Sequence, residues 1–216
     1  MYDVVITNDG SSSIYSQQFN EHYHSIHGAK QEAEHVFINA GLNEKMPSQN
    51  SIAILEIGFG TGLNTLLTAK ESVEKKQFIN YTSIELYPLE NDIFYQLNFN
   101  SIDKKLYRNI YEAKWNTTVS IHTYFQLKKI LMDIEAVTFE NQFDIIYFDA
   151  FSPEKQPNLW TDFIFDKMFK ALKKDGLLVT YCAKGIVKRT LKSVGFFVEA
   201  LPGPKGKREM IRANKK

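Results

Sequence analysis

With 216 residues, 44% of them hydrophobic and 24% charged, the chain has the size and balance of a globular domain with a sizeable core, which excludes a fibre or a disordered segment. The single cysteine, Cys182, rules out an intrachain disulfide, and no apolar run approaches the length that spans a membrane, so a soluble protein of a reducing cytoplasm is expected. Net charge is +1, yet residues 184–216 carry ten Lys or Arg against two Glu, or +8, while residues 1–183 sum to −7. A basic end on an acidic body suits a polyanionic partner or a solvated tail.

The opening residues 1–8 are polar or acidic where a secretion signal needs a basic start and an apolar run. Residues 4–6 form a short apolar run closed by Asn8-Asp9-Gly10, strong turn chemistry, and a Ser cluster follows. A helix is expected from about Asn20 to Ala40, with Gly28 as a break and Gly41 as its stop. Ala33, Val36, Phe37 and Ala40 share one face of it, and that face should pack on the rest of the protein. Residues 46–50 read as a polar connector, so residues 1–50 are an N-terminal extension on a domain of residues 51–216.

From there a rhythm of strands and helices sets in. Strands are expected at 52–57, 81–84, 119–122, 143–148 and 176–181, and helices from 63, from Pro88, and at 126–132, 160–172 and 186–194. Two last strands, at 196–201 and 208–211, are joined by Pro202-Gly203-Pro204-Lys205-Gly206, too short for a crossover, and must be antiparallel. The expected fold is a doubly wound, mostly parallel, seven-stranded Rossmann-like α/β sheet with an antiparallel last strand.

Glu56-Ile57-Gly58-Phe59-Gly60-Thr61-Gly62-Leu63-Asn64 lies where a strand meets a helix, the place at which an open α/β sheet binds ligands. A nicotinamide fingerprint is G-x-G-x-x-G, which leaves dinucleotide binding as the minor alternative. The G-x-G-x-G spacing here, with an acidic residue two before the first glycine, resembles motif I of the class I S-adenosylmethionine-dependent methyltransferases. That resemblance makes Glu56, Gly58, Gly60, Gly62 and Asn64 candidate cofactor-binding residues. Glu85 ends the next strand, and a carboxylate there can accept both hydroxyls of a ribose.

The buried strand 143–148 delivers Asp149 to the same edge, where it either faces the cleft or caps the next turn. Asp149-Ala150-Phe151-Ser152-Pro153 with Pro157 and Trp160, together with Asp9-Gly10, Phe19-Asn20-Glu21-His22-Tyr23-His24, the glycine loop and Gly206-Lys207-Arg208-Glu209-Met210, covers nearly the whole chain. This set resembles the methyltransferase domain of the bacterial tRNA-modifying protein MnmC and its stand-alone form MnmD. The resemblance implies methylation, by S-adenosylmethionine, of the amine of 5-aminomethyl-2-thiouridine at the tRNA wobble position. In the two-domain relatives an FAD-dependent oxidase makes that amine; 216 residues leave no room for it, so such an oxidase is expected only as a separate partner. The family often has an Asp after the third strand beside the adenine, where this chain reads Ser120-Ile121-His122-Thr123, leaving Thr123 as the candidate.

Asp149 is the expected amine partner. An ordinary carboxylate near pKa 3.9 is a poor base for an ammonium, so it is expected to orient the amine while solvent takes the proton. Phe151 and Trp160 are candidates to border the nucleobase, although large aromatics are more often core, and Tyr23 and His24 are candidates to line the cofactor or amine pocket. Lys184, Lys188, Arg189, Lys205, Lys207 and Arg208 are candidates for phosphate contacts. His22, His24, His27 and His35 match no metal motif, and no metal is expected. A small-molecule amine methyltransferase and a non-catalytic tRNA-binding protein are the competing readings.

Overall fold

The computed structural model describes residues 2–46 and 50–216; the expected polar connector lies, at residues 47–49, outside the described residues. The chain opens with a small antiparallel sheet, β1 (Tyr2–Ile6), β2 (Ser12–Ser16) and β3 (Glu21–His22), in the order β1-β2-β3. The Ser cluster, which reads as a loop, is strand β2, because its hydroxyls are spent inward. Ser12 Oγ accepts from the Asn98 amide at 3.0 Å, Asn98 Oδ1 accepts from the Ser12 amide at 2.8 Å, and Ser13 Oγ accepts from the His24 amide at 3.1 Å.

Helix α1 (Ala29–Ala33) follows and continues through wider π-type turns at Glu34–Leu42 into α2 (Asn43–Lys45). The helix starts nine residues after the expected Asn20 and runs through Gly41. Gly41 packs there against the sheet: a Cβ on it would stand 3.1 Å from both Tyr147 and Val179. Asp9 anchors α1 from outside, accepting from the Gln31 amide at 2.9 Å and the Ser11 amide at 3.0 Å. Burial pushes the Asp9 carboxyl up, but bonds from Ser11, Gln31 and Thr7 outweigh it and hold the group at about 2.

The main sheet is built from β4 (Ser51–Ile57), β5 (Phe78–Glu85), β6 (Thr118–His122), β7 (Phe125–Leu131), β8 (Phe143–Phe148), β9 (Leu172–Thr180), β10 (Phe197–Pro202) and β11 (Glu209–Asn214). Its order is β10-β11-β9-β8-β4-β5-β7-β6, eight strands where seven were expected. The extra strand is β7, which reads as a helix because Gln, Leu, Lys and Met favour one. Seven registered pairs with β5, from Ile79–Phe125 to Glu85–Leu131, override that weak local preference. β6 then hairpins onto β7 at the sheet edge, while β11 lies antiparallel between β10 and β9.

Helices α3 (Leu63–Lys75), α4 (Asn91–Gln96) and α5 (Asn100–Glu112) cover one face, together with the α1 segment, and α6 (Asp162–Ala171) and α7 (Gly185–Ser193) cover the other. The first face buries Val36, Phe37, Leu66, Phe94, Tyr107, Tyr81 and Tyr147; the second buries Leu55, Ile146, Phe148, Phe165, Met168 and Leu191. Pro88 lies ahead of α4 rather than in its first turn, and α5 was not legible as a separate helix. Among the described residues no helix is long and apolar enough to cross a membrane.

Candidate active site

The chain runs outward from β4 to β5 and β7 on one side and to β8 and β9 on the other. A crevice therefore opens beyond the carboxyl ends of β4 and β8. It holds a cavity of about 740 Å³, within the range of small-molecule and cofactor sites. Lining it are the glycine loop after β4, Glu85 at the end of β5, Met132 and Asp133 after β7, Asp149 after β8, and Tyr181 and Lys184 after β9.

Gly58 and Gly60 make the loop possible. Gly58 has φ 91° and lies so close to the chain after β8 that a Cβ would come within 2.7 Å of the Asp149 carbonyl oxygen. Gly60 has φ 49° and carries the Tyr23 ring at 3.1 Å from where a Cβ would stand. The Gly58 amide donates to the Ile84 carbonyl at 2.9 Å and the Gly60 amide to Glu85 Oε2 at 3.1 Å, so the loop hangs from the end of β5. Glu85 Oε1 accepts from the Tyr87 amide at 2.9 Å, which fixes the carboxylate at the cavity edge.

On the other side of the cavity, Asn64 Nδ2 donates to Asp149 Oδ2 at 2.8 Å, which leaves the buried Asn64 Oδ1 without a donor. Burial raises the Asp149 carboxyl to about 7; the Asn64 bond and the Lys207 charge pull against that rise, and the Glu32 charge adds to it. The premise of an ordinary carboxylate is therefore corrected. Asp149 titrates near neutrality, where a group can both take and return a proton.

An aromatic wall borders this acid. Phe151 stacks on Phe19 at 4.7 Å between ring centroids and meets the edge of Tyr23 at 4.9 Å. His24, also on the cavity, links Ser13 Oγ at 3.3 Å to Thr61 Oγ1 at 3.1 Å, and burial lowers its imidazole to about 4, so it is neutral. The N-terminal extension thus supplies part of the wall and ties itself to the glycine loop.

Several candidates stand elsewhere. Glu56 is 0% exposed and does not reach the cavity: strand alternation turns it toward α3, where Thr65 Oγ1 donates to it at 3.1 Å and Ser83 Oγ at 2.6 Å. Burial raises its carboxyl to about 8 against the Ser83 bond, with the Asp149 charge adding to the rise. Thr123 sits in the β6–β7 turn, at the amino end of the sheet and away from Glu85, because the strand at 119–122 is the edge hairpin and not the third parallel strand. The carboxyl end of that third strand is Leu131, and the residues it brings to the cavity are Met132 and Asp133.

Trp160 is 5% exposed and packs on Phe148, Phe165 and Tyr181. Its Nε1 donates to the Phe151 carbonyl at 2.8 Å, so it braces the loop from behind and is no stacking platform. Lys184 reaches the cavity and pairs with Glu154. Lys207 also reaches it and pairs with Glu32 at 2.6 Å, whereas Arg208 is exposed outside it. Lys188 pairs with Glu209. Glu32 and Tyr181, which the sequence did not single out, belong to the wall; nothing local marks them, because both arrive from distant elements. Among the described residues no three His, Cys, Asp or Glu gather as a metal site.

A family model described as S-adenosyl-L-methionine-dependent methyltransferase matches residues 97–216. The bifunctional tRNA 5-methylaminomethyl-2-thiouridine biosynthesis protein MnmC of Campylobacter hominis is 32% identical over 212 residues, 93% of this chain and 31% of that protein. The protein of the same name from Leptospira interrogans is 32% identical over 219 residues, 91% of this chain and 33% of that protein. This chain therefore spans about a third of the length of the curated relatives it matches. In structure it is similar to MnmC2 from Aquifex aeolicus, with a TM-score of 0.84 and 26% identity over all of this chain and 70% of that one. Spermidine synthase from Thermotoga maritima, with a TM-score of 0.64 and 15% identity over all of this chain and 69% of that one, shares the fold. With more than half of its length matched by the family model, the chain belongs to the S-adenosyl-L-methionine-dependent methyltransferase family.

Proposed function

We propose that this chain methylates the aminomethyl group of 5-aminomethyl-2-thiouridine at the wobble position of tRNA, acting in the cytoplasm. The observation that carries the reading is one cavity that joins the glycine loop to a half-buried, near-neutral Asp149 beside an aromatic wall. The name of the MnmC relatives, tRNA 5-methylaminomethyl-2-thiouridine biosynthesis proteins, supports the choice of acceptor.

S-adenosylmethionine is the cofactor, and when bound it supplies an electrophilic methyl group on a sulfonium. The residues present fit it. Glu85 would offer an acceptor-only carboxylate to ribose hydroxyls, and Gly58 and Gly60, which line the cavity without a Cβ, would let a ligand lie close. Asn64 Oδ1, which has no partner among the described residues, would accept from the ammonium of the methionine part, and Met132 and Asp133 would border the adenine.

The acceptor must attack as a neutral amine, and a primary alkyl amine near pKa 10 is mostly charged at neutral pH. Asp149 receives an N–H of that amine, orients it, and at about 7 is a better acceptor for its proton than an ordinary carboxylate. The stacked pair of Phe151 and Phe19, with Tyr23, walls the pyrimidine and keeps water from the amine. Lys184, which lines the cavity, and the exposed Arg208 are the candidates for contacts with phosphates of the anticodon loop. An FAD-dependent oxidase that releases the free aminomethyl group is the partner acting upstream.

The test is transfer of labelled methyl from S-adenosylmethionine to tRNA from a strain that accumulates the unmethylated aminomethyl form. Labelled wobble nucleoside with the wild type and none with Asp149→Ala supports the reading. A wild type that binds S-adenosylmethionine but labels no such tRNA sinks it, and small amines become the acceptors to try.

A further inference from the structure

Beside Asp149 the cavity holds a second buried carboxylate, Glu32, whose side chain is 12% exposed. It comes from α1, which Asp9 anchors and Gly28 admits: at φ 149°, a Cβ on Gly28 would stand 2.8 Å from Asp9 Oδ2. Facing it, on the turn between β10 and β11, is Lys207. That turn is docked on the N-terminal extension, since a Cβ on Gly206 would collide with the His27 ring and the Pro202 carbonyl lies 2.8 Å from His35 Nε2.

The Lys207 ammonium lies 2.6 Å from Glu32 Oε2 and 4.0 Å from the Tyr181 ring centroid, an ion pair and a cation–π contact at once. Yet the pair lacks hydrogen-bond alignment, and the buried Glu32 Oε2 has no hydrogen-bond donor among the described residues. Tyr181 is fixed from behind, donating its hydroxyl to the Ala150 carbonyl at 2.9 Å, next to Asp149. The position therefore offers a carboxylate and a ring face to one cation, with Asp149 on the same cavity, and a tethered side chain satisfies it incompletely.

We infer that Glu32, Tyr181 and Asp149 form an alkylammonium subsite, and that the Lys207 ammonium fills it until the aminomethyl group of the acceptor displaces it. This rests on the proposed reading only in taking the acceptor to be an amine. The chemistry matches, because Lys207 ends in a primary alkylammonium, the same group that a 5-aminomethyl pyrimidine carries as it arrives. Displacement exchanges one cation for another, so Glu32 is not left unpaired in the cavity, which limits the cost of entry. Glu32 is then a substrate-binding residue, and Lys207 is an internal competitor rather than a phosphate contact.

Binding of 5-aminomethyluracil to the protein saturated with S-adenosylhomocysteine, followed by calorimetry, tests this without methyl transfer or tRNA. If Lys207 occupies the subsite in about nine molecules of ten, Lys207→Met raises affinity for the probe about ten-fold. Adding Glu32→Gln to Lys207→Met removes that gain, and 5-methyluracil, which lacks the amine, shows no gain in either variant. Unchanged or weaker probe binding by Lys207→Met overturns the inference, as does an equal gain for 5-methyluracil. Affinity for S-adenosylhomocysteine, the same in all variants, certifies that each has folded. A wild type that labels no tRNA while this binding pattern holds removes the tRNA reading and leaves the subsite standing.

Discussion

At saturating S-adenosylmethionine, which offsets the loss of the cofactor contact offered by Asn64 Oδ1, Asn64→Leu reads what one hydrogen bond does to Asp149. Leucine fills a similar volume and keeps the cavity dry, but removes the donor 2.8 Å from Asp149 Oδ2. A hydrogen bond to a charged group is worth about 1.5 to 3 kcal/mol, and one pKa unit corresponds to about 1.36 kcal/mol. The carboxyl, held at about 7 in the wild type, should therefore rise to about 8 or 9 in the variant. The sign follows from the donor, which favours the charged form, so that its loss favours the protonated form.

Single-turnover methyl transfer measured from pH 6 to 10 reads the change. The wild-type rate climbs with a midpoint near the Asp149 value. The variant rate is about five- to fifty-fold lower at pH 7, the ratio of ionised fractions for midpoints at 7 and at 8 or 9, and approaches the wild type at high pH. Any limb owed to the acceptor's own amine is common to both proteins and leaves the difference intact. A variant whose midpoint is unmoved, or moves down, refutes the assignment of Asp149 as the titrating partner of the amine.

Glu85→Gln keeps the acceptor oxygen but removes the charge, and should weaken S-adenosylhomocysteine binding about ten- to a hundred-fold, from the value of a charge-assisted bond; calorimetry checks it, and unaltered affinity would place the ribose elsewhere. For Glu56, the folded carboxyl at about 8 lies above its ordinary 4.5, so the folded state retains a proton that the unfolded chain loses, and stability falls as pH rises through that interval. Glu56→Gln should abolish this fall, as urea unfolding at pH 5 and pH 9 would reveal; equal pH slopes in the two proteins would speak against it. Trp160→Phe leaves the Phe151 carbonyl without its donor and should cost about 1 to 3 kcal/mol, read from the shift of the urea midpoint, with the glycine-loop affinity for S-adenosylhomocysteine preserved.

The sequence by itself determined the elements whose signals are local. G-x-G-x-G at Gly58 to Gly62 needs three positive φ values, which only glycine adopts freely, and the structure has them at 91°, 49° and 73°. The five-residue link at residues 202–206 is too short for any crossover, and β10 and β11 are antiparallel. The runs 52–57 and 143–148 are apolar enough to read as buried central strands, which brought the glycine loop and Asp149 to one edge of the sheet.

What tertiary structure alone decided depends on neighbours far along the chain. Residues 126–132 favour a helix locally and form a strand because β5 presents an open edge; reading them as a helix moved the third strand to 119–122 and pointed to Thr123, whereas the strand that ends at the cavity brings Met132 and Asp133 there. Glu56 belongs to the glycine-loop motif, yet strand alternation turns it under α3, a matter of register. The near-neutral carboxyl of Asp149 comes from burial among Asn64, Glu32 and Lys207, three residues from three separate elements. Glu32 and Lys207 meet 175 positions apart because the N-terminal extension folds back over the last hairpin, and residue spacing carries no trace of a contact made by docking.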